Sequence, residues 1–134
     1  PVSKQGEVHL NRKFMEFIKL LNVYLNHFPK HEKFALSNRI RNTAYEVYDS
    51  ITEGQKRYLK KTTLSNLDIA HEKLRMQLYL AHELGYFRFK DGKETGKSPE
   101  ELEGHRFSTI SLLVDELGKM IGGWINKLKE ENRW

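Results

Sequence analysis

A chain of 134 residues is long enough for one domain with a substantial core, and 31% charged against 38% hydrophobic residues is the balance of a soluble helical protein. No run approaches the ~20 apolar residues of a membrane-spanning helix, no signal-peptide pattern opens the chain, and the absence of cysteine excludes disulfides, thiolate zinc sites and cysteine nucleophiles, which fits a reducing cytoplasm. The excess of 23 Lys and Arg over 18 Asp and Glu, net +5, suggests an acidic partner with nucleic acid first, beside the plain alternative that the charge only confers solubility.

The first helix is expected over about 7–27, because Phe14, Phe17, Ile18, Leu21, Tyr24, Leu25 and Phe28 recur at spacings of three and four, and Pro29 stops it. Residues 1–7 read as a flexible N-terminus. A second helix is expected over about 31–56, with Leu36, Ile40, Ala44, Val47 and Ile51 on one face. After a short connection, Thr62 or Thr63 caps a third helix that reaches to about Phe87. Leu67, Ala70, Leu74, Leu78 and Ala81 line one face of it, while Ile69, Met76, Leu80 and Phe87 line a second. A helix apolar on two sides has to be covered on two sides, which predicts a bundle interior or a subunit contact.

Residues 88–97, with Gly92, Gly96 and four cations, read as a mobile loop, and 88–98 separates the third helix from the fourth. Ser98-Pro99-Glu100-Glu101 starts the last helix, with Ser98 as N-cap and acids at the positive end of the dipole. Gly104 divides a short first turn from the remainder. Phe107, Ile110, Val114, Leu117, Ile121, Trp124 and Leu128 then form a seam of threes and fours. With no strand signal, the pattern predicts an all-α, up-down-up-down four-helix bundle in a single domain, 1–134.

Within the last helix Gly118, Gly122 and Gly123 are costly, each about 0.8–1 kcal/mol against alanine. They stand beside Trp124, a small-next-to-large arrangement that points to close packing inside the fold or between subunits. No arrangement of catalytic residues stands out, and no cofactor is implied. His27 and His31 are four apart, but a proline lies between them and no third ligand is near, so no metal site is expected; Glu-x-x-His pairs and Gly-rich phosphate loops are absent. The cations remain. Lys56, Arg57, Lys60 and Lys61 put four charges in six residues around Tyr58, suited to phosphate contacts with base stacking, or else to the helix C-terminal dipole. Arg39 and Arg41 on the second helix, and Lys73 and Arg75 on the third, are further candidates.

Three segments carry a resemblance: Phe28-Pro29-Lys30-His31-Glu32-Lys33-Phe34, residues 67–76 (LDIAHEKLRM), and residues 115–125 (DELGKMIGGWI). In this order they resemble the accessory variability determinants of diversity-generating retroelements. These belong to a wider group with the four-helix protein encoded by intervening sequences of 23S rRNA genes. The resemblance implies a four-helix bundle assembled as a homopentameric barrel with a basic surface. Five copies would carry a net charge of about +25. It also implies binding to the element's reverse transcriptase and to nucleic acid, either template RNA or the RNA/cDNA hybrid. The protein would have no catalysis of its own and would support mutagenic cDNA synthesis. The 88–104 segment is longer and more charged than is usual there. The alternative is a structural oligomer of the rRNA intervening-sequence type with no polymerase partner.

Overall fold

A computed structural model describes residues 4–93 and 96–134, so the expected flexible segment 1–7 lies partly outside it and the chain is already helical at Lys4. Four helices follow one another: α1 (Lys4–Asn26), α2 (Leu36–Lys56), α3 (Lys61–Glu83) and α4 (Pro99–Glu130), with one 3₁₀ turn at Lys30–Glu32. No strand occurs among the described residues. Arg41 reaches Asn22 and Asn26 while Gln55 reaches Asn11, so α1 and α2 run antiparallel. His71 meets Val114 and His82 meets Glu103, so α3 and α4 do too. Each helix touches its two neighbours around a ring, α4 closing on α1, which is an up-down-up-down bundle. None of the helices is long and apolar enough to cross a membrane.

The apolar stripes read from the sequence meet on the bundle axis. Phe17, Leu21, Ile40, Val47, Ile51, Leu67, Leu74, Ile110, Leu117 and Ile121 are fully buried, each contributing on the order of 1.5–3 kcal/mol by leaving water. The Ser98 capping box forms as expected: its hydroxyl accepts from the Glu101 N–H and the Glu101 carboxylate accepts from the Ser98 N–H.

Four boundaries differ from expectation. First, α2 begins at Leu36, not near His31, because Pro29 leads into the 3₁₀ turn and the Glu32 carboxylate then accepts the Leu36 N–H at 3.2 Å. Second, α3 begins at Lys61 without a side-chain cap, and the hydroxyl-bearing Thr63 is buried inside its first turn. Third, Gly104 interrupts nothing; α4 is continuous for 32 residues. Fourth, α3 ends at Glu83, where Gly85 takes φ +76 and a Schellman turn closes with Tyr86 N–H donating to Ala81 O. Phe87 therefore lies beyond α3 and is fully buried, not on its outer face. The rest of that outer stripe, Ile69, Met76 and Leu80, is about half exposed. No element among the described residues packs over it.

Candidate nucleic-acid interface

The densest cationic run lies at the α2–α3 turn. Arg57 leaves α2 in extended conformation, and Tyr58 and Leu59 stand 91% and 80% exposed at the tip. Lys60 does not join them. It is buried, and its ammonium donates to the Gly54 carbonyl and, at 2.7 Å, to the Arg57 carbonyl. It thus satisfies orphan carbonyls at the α2 C-terminus, where a cation also suits the helix dipole. The expectation of Lys60 as a phosphate ligand is corrected to that of a helix cap. Three exposed cations are left at the tip: Lys56, Lys61 and Arg57, the last paired with Glu53 at 3.1 Å.

The other four candidates do not converge on this tip. Arg39 is exposed on α2 in a shallow depression with Asn42 and Glu46. Arg41 is half-buried between α2 and α1; its Nη2 donates to Asn22 Oδ1 at 3.1 Å and Asn26 Oδ1 at 3.3 Å. Lys73 is exposed on α3. Arg75 is held by two bonds to Glu72, at 2.9 and 2.7 Å, with Asp115 of α4 nearby. That pairing keeps the Glu72 carboxyl below its ordinary pKa and the guanidinium above its own. Arg75 is therefore already neutralised, whereas Lys56, Lys61, Lys73 and Arg41 form no ion pair among the described residues.

The glycine-rich element of α4 divides into two parts. A Cβ on Gly118 would lie 2.7 Å from His71 Cε1. The missing side chain is what lets the buried His71 ring enter between α3 and α4 and donate from Nε2 to Val114 O at 2.7 Å. Gly122 and Gly123 have nothing within 4 Å of a would-be Cβ, so no close approach among the described residues compensates their cost. Trp124 packs elsewhere: its ring lies 3.0 Å from a would-be Cβ on Gly54 of α2, a glycine that no sequence pattern singles out. Its indole Nε1 is buried without a partner.

The bAvd-like sequence profile matches residues 8–128, which takes in the core of all four helices and both the Phe28–Phe34 and the Gly118–Trp124 elements. The chain belongs to the bAvd-like family, the bacterial accessory variability determinants. No curated protein and no solved structure matches it.

This bAvd-like chain also contains a polar cluster that sequence reasoning missed. Glu103, 4% exposed, accepts from the Phe87 N–H at 3.1 Å and from His82 Nδ1 at 2.9 Å, while His82 stacks on Phe107. Arg106, 7% exposed, donates to Phe87 O at 2.9 Å and to Phe89 O, and its guanidinium lies 3.9 Å over the Phe89 ring. His27 stacks on the Phe89 ring at 4.7 Å, and His31 sits against Tyr86. The start of the charged 88–97 segment is thus fastened to α4 and α1, against the expectation of a wholly mobile loop; residues 94–95 lie outside the described ones. Arg88, Arg106 and Asp91 are drawn into this fastening, so the segment's charge is partly spent inside the fold. No group of three or more His, Asp or Glu among the described residues is arranged to hold a metal.

Proposed function

We propose that the protein is a non-catalytic accessory subunit of a diversity-generating retroelement, which binds the element's reverse transcriptase and nucleic acid, as template RNA or RNA/cDNA hybrid, to support mutagenic cDNA synthesis. The observation that carries this reading is membership of the bAvd-like family across all four helices. The unpaired cations Lys56 and Lys61 around the exposed Tyr58 supply a surface of the right chemistry, since phosphate contacts and base stacking are sequence-tolerant and need only charge and an accessible ring. We also infer assembly as a homopentamer in the cytoplasm. The uncovered α3 stripe and the unaccompanied Gly122 and Gly123 are surfaces on which a second copy could close, and assembly would multiply a net charge of +5.

The test is a search for a reverse transcriptase gene alongside this one and co-purification with its product, together with electrophoretic shift of the template RNA at ~50 and ~200 mM salt. The expected result is co-elution and a shift that weakens as salt rises, with a particle mass of five 15.9 kDa subunits. Binding that is absent at low salt would overturn the nucleic-acid role. Failure to co-elute, with no reverse transcriptase gene alongside, would leave the structural-oligomer reading in its place.

A further inference from the structure

The α1–α2 seam is the loosest in the ring and opens outward as a groove. Two depressions share Leu25 and Arg41 and so run together, the larger holding about 570 Å³. Lys19, Lys30, Lys33 and Arg41 lie along them, and no Asp or Glu is among the lining residues. In a chain with 18 acidic residues, mostly interleaved with its bases, an acid-free lining with four cations stands apart. Glu32, the carboxylate nearest in sequence, is turned away: it accepts from the Tyr86 hydroxyl at 2.5 Å and from the Leu36 N–H.

Two atoms at the floor of the groove are prepared for a ligand. Ser37 is 4% exposed, and its Oγ has no hydrogen-bond partner. Three helical hydroxyls of this chain, those of Thr43, Thr52 and Thr109, bond back to the carbonyl four residues earlier. Ser37 forgoes that bond, and a buried unpaired hydroxyl is costly. One turn further along α2, the two asparagine oxygens fix Arg41 through Nη2 alone, which leaves Nη1 and Nε without partners among the described residues. A forked guanidinium beside a free hydroxyl matches the oxygens of a phosphate.

We propose that this groove is a track for the phosphodiester backbone of an RNA strand, with Arg41 and Ser37 holding one phosphate at the floor and Lys19, Lys30 and Lys33 neutralising its neighbours. Cations strung along a groove suit a polymer of regularly repeated charge better than a single anion. The proposal rests on the nucleic-acid reading above and moves its centre away from the α2–α3 tip.

Fluorescence anisotropy with a labelled single-stranded template RNA tests it on three proteins: the unaltered chain, Lys30→Glu with Lys33→Glu, and Ser37→Ala. The paired lysines are exposed, so the melting temperature should hold. The expected result is affinity lowered by about tenfold or more and a log–log salt slope shallower by roughly 1.5 for two lost single-strand phosphate contacts. Ser37→Ala should weaken binding severalfold while leaving the melting temperature unchanged or higher, because it removes an unsatisfied hydroxyl; misfolding could not produce that combination. If the unaltered protein binds and both variants bind equally well, the groove assignment is wrong and the nucleic-acid reading stands. If the unaltered protein binds no RNA at low salt, both fall. Variants that keep RNA but lose the reverse transcriptase would overturn the RNA track in favour of an acidic protein segment.

Discussion

The α3–α4 seam and the α1–α2 seam are built from similar material and finished in opposite ways. Between α3 and α4 the polar groups face inward and find partners: His71 on Val114 O, His82 on Glu103, Arg106 on the Phe87 and Phe89 carbonyls. Between α1 and α2 they face a groove, where Ser37 is left without a partner and Arg41 uses only part of its donor set. A buried group with its partners in place specifies packing, whereas one kept partnerless at a concave surface keeps its bonding capacity for something outside the chain. Stability and recognition are thus concentrated on different seams of one bundle.

Substitutions on the two seams should separate accordingly. The largest effect is expected from Trp124→Ala, which removes a 3%-exposed ring packed on Gly54 and Leu64's neighbourhood; denaturant unfolding should show a loss of about 3–5 kcal/mol. Next comes Arg106→Met. The Phe87 and Phe89 carbonyls would lose a charged donor, and urea titration should record a loss of roughly 2–3 kcal/mol, with faster proteolysis around Phe89. Gly118→Ala sets a helix-propensity gain of about 1 kcal/mol against overpacking of about 1–3 kcal/mol at a 2.7 Å approach to His71. A net fall in melting temperature is expected, and a rise would show that the His71 ring moves aside freely.

Tyr86→Phe tests the turn that ends the α1–α2 groove. The Tyr86 hydroxyl, followed by the Leu36 N–H, holds the Glu32 carboxyl below the ordinary carboxylate range. A lowered folded pKa stabilises above the unfolded value, and that contribution is lost as pH falls through the lowered one. Near neutrality the variant should be slightly less stable than the unaltered chain, the loss kept small because Glu32 is only half-buried and solvent screens the interaction. Below about pH 4 the difference from the unaltered chain should shrink, as thermal melts at several pH values would show. The smallest change expected is a gain. Gly122→Ala meets open space within its own chain, so for a face left free the propensity gain of about 0.5–1 kcal/mol should raise the melting temperature. A lower melting temperature with reduced light-scattering mass would instead show that this face is closed by another copy.

Much of the bundle was legible because helical periodicity is a local property. The seam from Ile110 to Leu128, the stripe from Phe14 to Phe28 and the Ser98 capping box each depend on residues within one or two turns. The candidate interface was less legible. Lys60 and Lys61 are adjacent and chemically alike, yet one caps α2 from inside the fold and the other faces solvent. Arg41 was singled out with Arg39, but its groove partners Lys30 and Lys33 come from the preceding turn and Lys19 from another helix. Glu103 and Arg106 carry no sequence signal, because their partners are backbone groups of the 84–91 segment that lies over them.

The sequence by itself determined four helices, their apolar faces and the family to which they belong, since apolar spacing and short motifs are written along the chain. Only the tertiary structure decided which charges are spent and which remain free. Whether a cation meets a carbonyl, a carboxylate or open water depends on what the opposite helix places across from it, and that residue can stand dozens of positions away.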